Sequence, residues 1–283
     1  MSRRDIRALM RADRVADQLV GLRDLTVWRT RGGRVLVAAA TRLASLLGPH
    51  VAVLALLVAA GAFVTALTGA SAEIYEHVSD DQGVAGFDRP VLDAVLQLRS
   101  DPANAAVAFY TDLGGATGMP LLTVLAVLAM TLGWRQWTPA VLVLVAGAGS
   151  LTMTVVGKNL VGRTRPPLVD AVPPFEGSSA FPSGHALNAV VIAGVLAYLL
   201  IRRQQRAWAR VTTVGAAAAF AITMGLSRVY LGHHWLTDVL VAWTLGLAWL
   251  TLVVVAHRLF LTVTRRDRPP RRGRRFGRGL IAA

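Results

Sequence analysis

Apolar residues run along this chain in long, nearly uninterrupted blocks, and the polar residues collect between them. The blocks fall at about 47–70, 115–134, 138–157, 186–201, 209–226 and 235–256. A helix needs roughly 20 apolar residues to cross a bilayer, and these blocks lack the polar stripe that a helix on the surface of a soluble protein carries. The pattern predicts an all-α polytopic membrane protein, a bundle of six transmembrane helices. Residues 71–114 break the pattern with Glu73, Glu76, Asp80, Asp81, Asp88 and Asp93. Inside that stretch RPVLDAVLQL sets Val91, Leu92, Val95 and Leu96 on one helical face, which predicts a helical segment lying in the interface on the outer side.

Charge gives the blocks an orientation. The 283 residues are 54% hydrophobic and 16% charged, with a net charge of +14 gathered toward the two ends. Residues 1–42 hold ten arginines against four aspartates, and the stretch from Arg258 onward holds nine arginines and one aspartate. Arg135 and the RRQQR cluster at 202–206 fall on the same side of the six spans as these ends. By the positive-inside tendency that side is cytoplasmic. The acidic 71–114 segment, the loop from Lys158 to His185 and the turn SRVYLGHHW are then expected to share the outer, periplasmic face of a bacterial inner (plasma) membrane.

Three regions follow: a basic cytoplasmic segment at 1–46, a membrane domain at 47–256, and a basic tail at 257–283. The low-complexity run RRDRPPRRGRRFGRG is expected to be disordered, since it has little to bury. The basic ends suit anionic lipids, and without interleaved aromatics they predict no nucleic-acid partner. The first apolar block begins only near residue 47, which predicts a retained anchor rather than a cleaved signal. No cysteine is present, which excludes disulfides and thiolate metal sites. Nothing in the pattern specifies an oligomeric state.

The polar loops of the outer face carry three clusters. GKNLVGRTRPP, residues 157–167, presents Lys158, Arg163 and Arg165. Alone, these cations would be read as snorkelling to headgroups while Pro166 and Pro167 stop the helix. Yet Lys158 is the only lysine among thirty basic residues, and positive charge here opposes the topology bias. FPSGH, residues 181–185, leads through Ser183 and Gly184 into a helix whose first N–H groups lack intrahelical partners, an anion site in the making. His185 stands just beyond them. In SRVYLGHHWLTDVL, residues 227–240, Arg228 is followed by His233, His234 and Asp238. Asp238 is four residues after His234, so on a helix the carboxylate can accept the imidazole Nδ1–H and leave Nε2 free as a nucleophile. His233 lies about 100° away around that helix and is assigned an interfacial or packing role.

Lys158 with Arg165-Pro166, Pro182-Ser183-Gly184-His185, and Ser227-Arg228 with His234 and Asp238 together resemble the three-part signature of the type 2 phosphatidic acid phosphatase superfamily. That group includes membrane lipid phosphate phosphatases and the vanadium haloperoxidases. The resemblance implies phosphoryl transfer through a phosphohistidine: His234 as nucleophile oriented by Asp238, and His185 as acid and then base. Lys158, Arg165, Arg228 and the groups of Ser183 and Gly184 would hold the phosphate. It implies a lipid substrate, whether phosphatidic acid, phosphatidylglycerol phosphate or polyprenyl diphosphate. No cofactor is expected. Metal-independent turnover is expected too, since the sequence offers cations at the site and no carboxylate cluster to hold an ion.

Two other readings remain open at this point. A phosphotransferase would pass the same phosphoryl group to a sugar or lipid acceptor. A channel or a non-catalytic lipid-binding scaffold would not turn over at all, although a conduction path would need polar residues inside the spans rather than at one end.

Overall fold

The computed structural model describes residues 18–21, 23–78 and 84–266 of the chain. A short two-stranded hairpin, β1 (Leu19–Val20) with β2 (Arg23–Asp24), precedes nine α-helices among the described residues. They are α1 (Arg31–Leu47), α2 (Pro49–Val78), α3 (Asp88–Gln97), α4 (Asp101–Asp112), α5 (Gly118–Trp134), α6 (Thr138–Val161), α7 (Gly184–Ile201), α8 (Ala207–Tyr230) and α9 (Leu236–Arg266). Four of them, α6 to α9, are long and apolar enough to cross a membrane. The apolar part of α2 at Pro49–Ala62 and the whole of α5 are shorter. Asp80 and Asp81 of the acidic stretch, and the tail from residue 267, lie outside the described residues.

The fold centres on α7, which packs against α6, α8 and α9. Its Ala186, Leu187, Ala189, Val191 and Val195 are all fully buried. In a bilayer no hydrophobic force drives helix to helix, so small residues that permit close approach take over the work of packing. Gly246 of α9 is one such residue: a side chain there would stand 2.9 Å from Val190 and 3.3 Å from the Leu187 carbonyl. By contrast α5 turns Leu121, Leu125, Leu128 and Leu132 outward, as lipid-facing positions do.

The end of the bundle away from His185 and His234 carries Arg203, Arg258 and the N-terminal segment. The segment read from sequence only as basic contains α1, opened by Thr30, whose hydroxyl accepts the Gly33 N–H at 3.1 Å. Its Val37, Ala40 and Ala44 are buried against α2 and α9. Trp28 donates its indole N–H to Thr262 at 3.1 Å, and the Arg258 guanidinium sits 4.3 Å from the Trp28 ring centre. Arg203 stacks on Trp134 and donates to Gln136 at the same end.

The stretch predicted to hold an interfacial helix is helical at α3, and Leu92 is buried. Its neighbours are α8 and the start of α9, so the face carrying Leu92 and Val91 packs on protein. Arg99, just after α3, fastens this region to the rest: it donates to the Tyr230 carbonyl at 2.8 Å and to the Asp170 carbonyl at 2.7 Å.

Candidate active site

Four helix ends meet where α6 and α8 finish and α7 and α9 begin. Lys158 sits in the last turn of α6, and Gly162 closes that helix in the left-handed region at φ 64. Arg163 and Arg165 follow at once in the loop that leads to α7. Ser183 occupies the N-cap position of α7 but makes no side-chain cap bond; its hydroxyl is fully buried and has no hydrogen-bond partner. Arg228 lies in the last turn of α8, 2% exposed. The chain then reverses at Gly232, φ +70, where a Cβ would stand 2.3 Å from the Asp170 carbonyl, so both conformation and space require glycine. The Arg228 carbonyl accepts the N–H groups of His233 at 3.0 Å and His234 at 3.3 Å, which fixes the turn.

An anion already sits among these groups. Glu176, in the α6–α7 loop, receives Arg165 Nη2 on Oε2 at 2.6 Å and Arg228 Nη2 on Oε1. Burial alone would push its carboxyl up, but the guanidiniums of Arg228 and then Arg165 outweigh burial and hold it at about 2. His234 and His185 act on the same carboxylate. Lys158 closes the rim, its Nζ donating to the Ser178 hydroxyl at 3.0 Å and to the Ser179 carbonyl at 2.5 Å. The Nε2 edge of His185 faces Gly115, where an added Cβ would stand 3.5 Å from the nitrogen. The three motifs therefore converge on one seat for an anion.

The relation between His234 and Asp238 differs from the sequence expectation. Nδ1 and Oδ2 are 3.6 Å apart, close enough to pair when the ring is charged but longer than a hydrogen bond, and Nδ1 has no hydrogen-bond partner. Other donors hold the carboxylate: the Trp235 N–H on Oδ2 at 2.9 Å, at the free start of α9, and Arg163 Nη1 on Oδ1 at 2.7 Å. Arg163 is thus not turned to the anion seat with Arg165 but bridges Asp238 to Asp88. His234 is 1% exposed, with Arg165 Nη1 3.3 Å from Nε2. Burial drives its imidazole down to about 4, Asp238 opposing and Arg165 reinforcing, so the ring is unprotonated at neutral pH. His233 instead reaches the Val172 carbonyl through Nε2 at 2.7 Å and ties the turn to the loop. The Ser183 N–H is taken by the Asp238 carbonyl at 3.4 Å, which leaves the first turn of α7 to the seat.

Four residues that sequence reasoning did not select shape this site. Glu176 is one; the signal available for it was a lone glutamate in a loop expected to face three cations. Asp88 accepts the Thr237 N–H at 2.9 Å and the Thr237 hydroxyl at 2.6 Å. Thr111 of α4 accepts from Arg228 Nη1 at 3.1 Å and from the Ser227 hydroxyl at 3.0 Å. Arg99 completes the set. Among the described residues no group of three or more His, Asp or Glu side chains is arranged to hold a metal ion.

The chain is similar to known proteins in sequence and in fold. The sequence model of the PAP2 superfamily matches residues 137–261. Phosphatidylglycerophosphatase B of Bacillus subtilis (strain 168) is 32% identical over 171 residues, which are 60% of this chain and 83% of that protein. The crystal structure of a transmembrane PAP2-type phosphatidylglycerolphosphate phosphatase from Bacillus subtilis is similar at a TM-score of 0.59 and 29% identity, covering 67% of this chain and 92% of that one.

Proposed function

This chain belongs to the PAP2 superfamily, and from that premise we propose that it is a membrane lipid phosphatase acting through a covalent phosphohistidine on His234. Supporting the reading most directly is the seat itself. Two guanidiniums from separate elements, Arg165 and Arg228, close on one carboxylate that His234 and His185 also feel. A phosphate monoester offers the same negative oxygens with tetrahedral spread, and it would displace the Glu176 carboxylate.

The neutral, buried His234 attacks phosphorus through Nε2; the N–P bond forms as the bond from phosphorus to the lipid oxygen breaks. His185 gives that oxygen its proton. Charge on the remaining phosphate oxygens is met by Arg165, Arg228, Lys158, the Ser183 hydroxyl and the first N–H groups of α7, all fixed before substrate arrives. His185 then takes a proton from water, whose oxygen attacks phosphorus and releases orthophosphate and His234. Asp238 balances the positive ring while the N–P bond exists. These cations supply what a metal would, so turnover is metal-independent.

The site lies at the end of apolar helices, so a lipid can present its headgroup while its chains stay in hydrocarbon. By the positive-inside tendency, arginine on the opposite end of the bundle supports reading the site as periplasmic and both termini as cytoplasmic. Basic ends contact anionic lipids. By its name the curated relative acts on phosphatidylglycerol phosphate, which makes that lipid the first substrate to test, ahead of phosphatidic acid and polyprenyl diphosphate.

Orthophosphate release from this panel by purified protein tests the reading. His234→Ala should abolish release, whereas His185→Ala should accumulate phosphoenzyme from a substrate with a good leaving group. Near-normal turnover by His234→Ala would end the assignment. Radiolabel passing to a sugar or lipid acceptor instead of water would make the protein a phosphotransferase.

A further inference from the structure

We infer that Asp88, on α3 and outside all three motifs, is a positioning residue for His234, acting through Arg163 on the Asp238 carboxylate. The inference rests on the phosphohistidine reading above and extends it to a residue that touches neither phosphate nor imidazole.

The chain of contacts is continuous and short. Asp88 is 5% exposed. Its Oδ2 accepts Arg163 Nη2 at 2.7 Å, and the other terminal nitrogen of the same guanidinium, Nη1, donates to Asp238 Oδ1 at 2.7 Å. Thr237 locks the arrangement, accepting from Arg163 Nη1 at 2.7 Å while donating to Asp88 at 2.6 Å. The guanidinium also lies 6.0 Å from the centre of the Trp235 ring. Asp238 therefore cannot turn freely toward His234: Arg163 holds one oxygen, the Trp235 N–H holds the other, and Oδ2 is kept 3.6 Å from Nδ1.

Charge sharing gives this geometry a catalytic consequence. One guanidinium stands between two carboxylates, so the trio keeps a net negative charge beside an imidazole that becomes positive when the N–P bond forms. Remove the charge of Asp88 and Arg163 neutralises Asp238 outright. Its guanidinium, no longer drawn toward α3, is then free to pull the carboxylate away from Nδ1. The phosphorylated ring loses its counter-charge at the step where it needs it, while the phosphate seat of Arg165 and Arg228 stays intact. The loss should fall on kcat and spare KM. His234 also feels Arg165 and Glu176 from the loop, Arg228 from α8, His185 from α7 and its neighbour His233. None of these contacts Asp88.

Asp88 also caps α9 through Thr237, so the test must separate support of the helix from support of the ring. Asp88→Asn keeps an oxygen for the Thr237 N–H but removes the charge and sets an amide NH2, which cannot accept, where Oδ2 receives Arg163 and the Thr237 hydroxyl, so it cuts the link to Arg163; Asp88→Glu keeps the charge and the acceptors. Expected for Asp88→Asn is a fall in kcat of about tenfold or more with KM within about twofold, together with a downward move of His234 protonation by about half a pH unit or more, read from ring nitrogen shifts in [15N]histidine-labelled protein. Asp88→Glu should hold the His234 titration where wild type has it and recover part of kcat. The inference is overturned if folded Asp88→Asn leaves kcat within about twofold or the His234 titration unmoved. Failure of both variants to fold would overturn it too, assigning Asp88 to the α9 cap alone. The nitrogen shifts report without turnover, so a wild-type protein lacking phosphatase activity would defeat the proposed function and still leave the link from Asp88 to His234 measurable.

Discussion

Replacing Glu176 by Gln removes the carboxylate that Arg165 and Arg228 hold between them. The carboxyl lies at about 2 against an ordinary 4.5. At about 1.4 kcal/mol per pH unit, its ionised form stabilises the folded protein by about 3 kcal/mol at neutral pH. Because the side chain keeps 30% of its exposure, solvent trims this to about 2–3 kcal/mol. The sign follows from the depressed value: the contribution is complete above 4.5 and drains away as pH falls toward 2. In the Gln variant Arg228, 2% exposed, keeps its charge without a carboxylate, and the protein should melt lower. The same energy should reappear as affinity, since phosphate no longer has to displace a competitor. A surplus of about 2–3 kcal/mol corresponds to roughly 30- to 150-fold tighter orthophosphate binding. Titration calorimetry in detergent measures this directly. A melting series reads it again, because orthophosphate should restore the lost stability of the variant more than it raises that of wild type. Equal orthophosphate affinity in the two proteins, or weaker binding by the variant, would refute the idea that carboxylate and phosphate share one seat.

Arg228→Ala should lower kcat roughly 10²- to 10³-fold, about 3–4 kcal/mol of transition-state stabilisation, and Arg228→Lys should recover only part, since one ammonium cannot reproduce the guanidinium fork; steady-state rates on the best lipid decide both. The His234 ring should titrate near 4 in [15N]histidine-labelled protein rather than at the ordinary 6.5, because burial opposes its charge. Its contribution to stability is thus complete above 6.5 and declines as pH falls toward 4; a midpoint near 6.5 would contradict a buried neutral imidazole. Turnover should survive exhaustive chelation, and loss in chelator followed by rescue with magnesium would show that the cations of the site do not suffice.

Legibility divided along a physical line. Runs of apolar residues announced α6 to α9, since nothing but lipid or protein can surround such helices. Lys158, Arg165, Ser183, His185, Arg228 and His234 could be grouped because a phosphate would need those chemical types at helix ends, and the fold brings all but Ser183 within electrostatic reach of the Glu176 carboxylate. The i, i+4 spacing of His234 and Asp238 could not reveal their 3.6 Å separation, because one competing donor, Arg163, comes from the distant α6–α7 loop, while the Trp235 N–H takes the other oxygen at the helix start. Glu176 and Asp88 were opaque for the same reason. A carboxylate declares its role by the partner that meets it across the fold, and no local periodicity encodes a contact between residues 88 and 237. Helix α1 was hidden by its arginines, which mask a small-residue face of Val37, Ala40 and Ala44.

Arg99 staples the α3–α4 stretch to the Tyr230 and Asp170 carbonyls, and that staple bears on how the protein can be dissected. Residues 137–261 carry the family pattern, yet a fragment cut to those limits would expose the Asp170 and Tyr230 carbonyls and strip Arg163 of Asp88 and Arg228 of Thr111. Minimal expression boundaries should therefore begin upstream of residue 84, and chimeras exchanging only the signature half between relatives would separate His234 from its scaffolding.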